Sequence, residues 1–211
     1  VENVNSWQIA NIIMANALTV WVIKMALKFK DKTAQRKTKT LIYGLDGVGK
    51  STAAELYCQK RGLKPVCIDV DDTNYTNVPI LDVNFNVDKN IALNIKNVIL
   101  DIARSDEYDT LIIDGVGSLL ELLTPTAIKD QRAYLIRSQE FKKIWKCLLK
   151  ANVNIIFVGQ KDLIVTEENE SSKLAERINN MVDWKYWCYK TKDGEFKNEC
   201  TKWRGKKEEL Y

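Results

Sequence analysis

Apolar residues in this chain fall into two spacings. Short, mainly apolar runs at Leu41–Tyr43, Pro65–Val70, Leu111–Ile113 and Val153–Val158, interrupted only by Asp69 and Asn154, each lead into glycine or aspartate, the pattern of buried strands. Between them lie segments of helical period. One covers 50–61 and stops at Gly62; another, capped by Asp88, sets Ile91, Ile95, Val98, Ile99 and Ile102 on one face. A third, Ala133–Lys150, is apolar at Leu135, Phe141, Ile144, Trp145 and Leu148. Residues 73–87 are polar, with a short strand expected at Val78–Val83, and 115–131 read as partly loop around Pro125. The acidic stretch Lys161–Ser172 reads as a loop and Ser172–Asn180 as a short helix. Val182–Lys190 and Glu195–Trp203 then form an antiparallel pair, turning at Lys192-Asp193-Gly194. Strands alternating with helices predict an α/β fold: a mainly parallel sheet flanked by helices, with a C-terminal antiparallel hairpin.

The first 37 residues stand apart from that alternation. Trp7–Phe29 reads as one apolar helix, but Gln8, Asn11, Asn16, Thr19 and Lys24 make it a poor membrane span. Its charge follows the apolar run, the reverse of a secretory signal. A helix packed on a body or on a neighbouring subunit fits better, with a basic linker after it. The expected division is 1–37, apolar helix and linker, and 38–211, the globular domain.

Charge sharpens the division. The chain of 211 residues has a net charge of +4, and residues 1–40 hold seven Lys/Arg against Glu2 and Asp31, a local +5. The rest of the chain is therefore at −1. Five scattered cysteines without a C-x-x-C pair, and no histidine, argue against a zinc site and exclude any histidine-based triad. Such thiols suit a reducing, cytoplasmic compartment.

The chemistry concentrates where the first strand ends. Gly44-Leu45-Asp46-Gly47-Val48-Gly49-Lys50-Ser51 fits G-x-x-x-x-G-K-[ST], with Thr52 and a helix following. The glycines let successive N–H groups turn inward around phosphate oxygens, and the helix N-terminus adds its field. Lys50 would meet the β- and γ-phosphates of ATP, and the Ser51 hydroxyl would take one position on Mg²⁺. Leu111-Ile112-Ile113-Asp114 has the form of a Walker B strand, whose aspartate belongs to the same metal shell.

With the P-loop, Asp71, Asp114 and Gln160 in this order, residues 38–207 resemble the RecA-type ATPases. The likeness is nearest to small phage-encoded ATP-binding proteins of recombination and single-strand annealing. The resemblance implies a RecA-like fold, a homo-oligomer, single-stranded DNA and a single-strand-binding protein as partners, and a location in the bacterial host cytoplasm. It also implies DNA-stimulated ATP hydrolysis, with Asp71, or alternatively Asp72, activating the attacking water in place of the usual glutamate. Gln160 would sense the γ-phosphate and signal to 161–172. That loop is acidic, so DNA phosphates would meet Lys129, Arg132 or Arg137 instead. Lys202 and Arg204, at i and i+2 on a terminal strand, resemble the basic pairs that reach a neighbouring subunit's ATP.

Two other classes fit parts of the pattern. The P-loop is similar to that of thymidylate kinases, but residues 69–75 (Asp-Val-Asp-Asp-Thr-Asn-Tyr) lack their arginine and 161–177 holds only Arg177. A nucleotide-gated binding module with little turnover would suit Asp71 in place of glutamate and the apolar N-terminus.

Overall fold

The structure is a computed structural model that describes residues 37–204, apart from 74, 86–89, 129–130, 161–177 and 179. Six strands form one sheet: β1 (Lys39–Gly44), β2 (Pro65–Asp69), β3 (Thr110–Asp114), β4 (Asn154–Gln160), β5 (Trp184–Lys190) and β6 (Phe196–Lys202). Their order is β2-β3-β4-β1-β5-β6. Every neighbouring pair is parallel except β5 and β6, which are antiparallel. This is the fold of a P-loop NTPase. Among the described residues the helices are α1 (Lys50–Lys60), α2 (Ile91–Arg104), α3 (Val116–Leu122) and α4 (Gln131–Lys150).

Period-two alternation along the strands divides the core between the two sheet faces. Leu41 and Tyr43 of β1 join Ile68, Ile113 and Phe157 on one face, where Ile95, Ile99 and Ile102 of α2 and Phe141, Ile144 and Leu148 of α4 pack. Ile42 joins Cys67, Ile112, Ile156 and Val158 on the other, beneath Ala53, Ala54, Tyr57 and Cys58 of α1. The central strands are buried on both faces, hence their near-continuous apolar runs. Because β1 to β4 run parallel, their C-terminal ends share one edge. Register sets Gly44 beside Gln160 and Asp69 beside Asp114.

Local structure departs from expectation in four places. Val78–Val83 makes only an isolated bridge from Ile80 to Cys67; Pro79 has no N–H to extend it. The cap of α2 is Asn90, whose side chain accepts from Leu93 N–H at 3.0 Å; Asp88 lies outside the described residues. The stretch 115–131 contains α3, a helix that Gly115, Gly117 and Pro125 had masked in sequence. β6 ends at Lys202, so Arg204 lies beyond the strand. Gly62, with φ +62°, does stop α1.

The expected N-terminal helix at 7–29, the segment 161–172 and most of 172–180 lie outside the described residues. Among the described residues no helix is long and apolar enough to cross a membrane.

Candidate functional site

Where β1, β3 and β4 end, a cavity of about 760 Å³ opens at the sheet edge, lined by the glycine loop, Asp71, Thr73, Asp114, Glu121, Gln160 and Phe196. Gly44 must be glycine for a packing reason: a Cβ there would overlap the carbonyl oxygen of Cys188 on β5. Gly49 caps α1 in a left-handed conformation, φ +80°, and the helix then points its N-terminus into the cavity. Lys50 Nζ donates to Leu45 O at 2.7 Å and lies 3.6 Å from Asp46 Oδ1. The Asp46 side chain is 80% exposed, so that pair is weak, and an ammonium with three donors has capacity left for a phosphate oxygen.

Asp114 is the most connected acid in the site, and at 3% exposure it is buried. Its Oδ2 accepts from Ser51 Oγ at 2.6 Å, Tyr75 Oη at 2.7 Å and Thr73 Oγ1 at 3.2 Å. Burial and the adjacent Asp114 carboxylate push the Tyr75 phenol well above its ordinary value, so it keeps its proton and donates. Three hydroxyls hold the carboxylate toward Ser51. A hydroxyl and a carboxylate side by side form a hard oxygen set that fits Mg²⁺. Among the described residues no cluster of three Asp, Glu, Cys or His forms a cage of its own.

Asp71 reaches the cavity by a local device. The Asp69 carboxylate accepts from Thr73 N–H at 2.9 Å and, at 3.1 Å, shares the single Thr73 hydroxyl proton with Asp114, closing a tight loop after β2. Val70 N–H donates to Asp114 O at 2.9 Å, tying that loop to β3. Within it Asp72 takes φ +53° and Asp71 turns into the cavity; Asp72 is not among the lining residues. Asp71 is exposed and lies against Gly115.

Gln160 ends β4, which the strand order inserts between the P-loop strand and the Asp114 strand, so the exposed amide stands between the two halves of the site. Lys202 and Arg204 are elsewhere. Lys202 pairs with Lys185 near the start of β5, at the opposite end of that strand from Cys188 and the P-loop. Arg204 forms an ion pair with buried Asp183 at 3.2 Å and donates to Asn180 O at 3.4 Å. Burial and the nearby Arg204 charge lower the Lys202 pKa.

Thr73, Tyr75, Glu121 and Phe196 belong to the site without any sequence motif to mark them. Phe196 opens β6, is 53% exposed, and its ring stands 3.5 Å from the place of a Cβ on Gly49. Only the hairpin, folded back beside β1, brings it to the loop.

The family model described as an AAA domain matches residues 36–185, from just before β1 into β5. No curated protein matches the chain. That match covers most of the chain and contains the P-loop, Asp71, Asp114 and Gln160; the chain belongs to the AAA domain family of nucleotide-binding P-loop ATPases.

Proposed function

We propose that the protein hydrolyses ATP in this cavity and uses the cycle to act on single-stranded DNA in recombination or strand annealing. The observation that carries the reading is the place of Gln160, between Lys50 and Asp114 and immediately before 161–172. A side chain there would meet the γ-phosphate one position before 161–172 begins in the sequence.

Each residue then has a defined task. The backbone N–H groups of the loop and Lys50 bind the phosphates and offset charge that grows on them during transfer. Ser51 and Asp114 would hold Mg²⁺, which neutralises phosphate charge when bound. Asp71 accepts a proton from the attacking water, or fixes that water in line. Phe196 offers an apolar face to the nucleotide base. Gln160 reports the γ-phosphate by donating one amide hydrogen bond to it, and the loss of that bond on hydrolysis releases the signal.

Assembly completes the proposal. The apolar stretch 7–29 would join neighbouring subunits, and Lys202 and Arg204 would approach a neighbour's nucleotide; Arg204 would first have to leave Asp183. A single-strand-binding protein is the expected companion on DNA. Deleting residues 1–37 should give a monomer by light scattering that still binds ATP, because the P-loop unit Lys37–Tyr211 forms its own compact body.

The test is ATP turnover by wild type, Lys50→Ala and Asp71→Asn. Lys50→Ala should lose nucleotide binding or turnover. Asp71→Asn should bind ATP yet hydrolyse it 10²- to 10⁴-fold more slowly, the usual loss on removing a general base. Transfer of phosphate to dTMP rather than water would instead make the protein a kinase. Binding without turnover in the wild type would make it a gated module.

A further inference from the structure

Helix α4 concentrates positive charge that the rest of the domain lacks. It carries Arg132, Arg137, Lys142, Lys143, Lys146 and Lys150 against Glu140 alone, a net +5. Residues after 40 total −1, so those outside α4 total −6. Within α4, Lys143, Lys146 and Lys150 follow at i, i+3 and i+7 and share one helix face. Across from them stands Lys96 of α2, and the four line a groove of about 350 Å³. Its apolar lining includes Ala92, Leu93 and Cys147. Leu93 is 46% exposed, and among the described residues only Lys143 of the four is in an ion pair, with Glu140. None of these residues lines the nucleotide cavity.

We propose that this groove binds the backbone of a single nucleic-acid strand. The proposal rests on the reading above and names the surface that its partner uses. Charge complementarity selects a polyanion, and the exposed Leu93 beside the lysines selects one with apolar faces, which bases supply. From Lys143 to Lys150 the helix rises about 10 Å, room for roughly three phosphates of a stacked strand. Charge concentrated at Lys143–Lys150 moves the expected contacts from Lys129, which lies outside the described residues, and from Arg132 and Arg137, in the first turns of α4, to its last two turns.

Cys147 provides a built-in reporter. It is the one cysteine of the five that is not buried. Alkylation of full-length protein should therefore modify Cys147 first, and an oligo-dT of about 20 nucleotides, longer than usual single-strand footprints, should slow it. The variant Lys96→Gln/Lys143→Gln/Lys146→Gln/Lys150→Gln should bind the oligonucleotide more weakly. Its log K against log salt slope should be shallower by about 2, at about 0.7 for each of roughly three phosphate contacts. Its ATP turnover without DNA should equal that of wild type. Unslowed alkylation, or unchanged affinity and slope in the variant, would overturn the groove. An ATPase-competent wild type that binds no oligo-dT would overturn it while leaving the ATPase reading intact. Protection of Cys147 by phosphatidylserine vesicles but not by oligo-dT would reassign the surface to membranes. The alkylation test uses wild-type protein, so it stands even if the fourfold variant misfolds.

Discussion

The Asp71 carboxylate lies against Gly115, on the spot where any other residue would carry its Cβ: its nearest atoms are 2.6 Å from that position. Gly115 also holds φ +87° at the start of α3. Two demands, space and a left-handed backbone, thus fall on one glycine. Gly115→Ala should cost about 1–3 kcal/mol in stability and push Asp71 out of place. ATP binding should persist while kcat falls toward that of Asp71→Asn. An alanine variant that folds and turns over normally would show that Asp71 needs no such seat.

The hydroxyl from Tyr75 makes a second prediction. Tyr75→Phe removes one of three donors to buried Asp114 at a cost of about 1–3 kcal/mol. A group that orients a metal ligand commonly changes metal affinity 10- to 100-fold when lost. The Mg²⁺ concentration for half-maximal ATP turnover should rise, with kcat at saturation nearly restored. An unchanged Mg²⁺ titration would reduce Tyr75 to a structural role.

Phe196 is tested by comparing bases. An aromatic face stacks on any base, at about 1–3 kcal/mol. Phe196→Ala should raise KM for ATP and for GTP by similar factors, with kcat little changed. A rise for one nucleotide only would mean that hydrogen bonds, not the ring, read the base.

Most of the site was legible because its chemistry is contiguous. The loop 44–52, Asp114 after its apolar run and Gln160 after the next are each fixed by strand, turn and helix signals within a few residues. The sheet followed from the same alternation. What sequence hid depends on long-range closure. Phe196 comes from a hairpin nearly 150 residues after the loop it covers, and Thr73 and Tyr75 sit in a polar stretch without periodicity. Helix α3 was hidden by Gly115 and Gly117, which look like loop residues; one of them is there to make room for Asp71. Arg204 looked like a strand neighbour of Lys202, but its partner Asp183 lies 21 positions back, across the β5–β6 pair.

In the proposed function, hydrolysis is coupled to a DNA strand through Gln160. Steady-state ATP turnover of wild type and Gln160→Ala, each with and without oligo-dT, tests it most directly. The wild type should be stimulated, and Gln160→Ala should keep basal turnover but gain nothing from DNA, because the γ-phosphate signal is cut. Equal stimulation of both proteins, or none in the wild type, would contradict it.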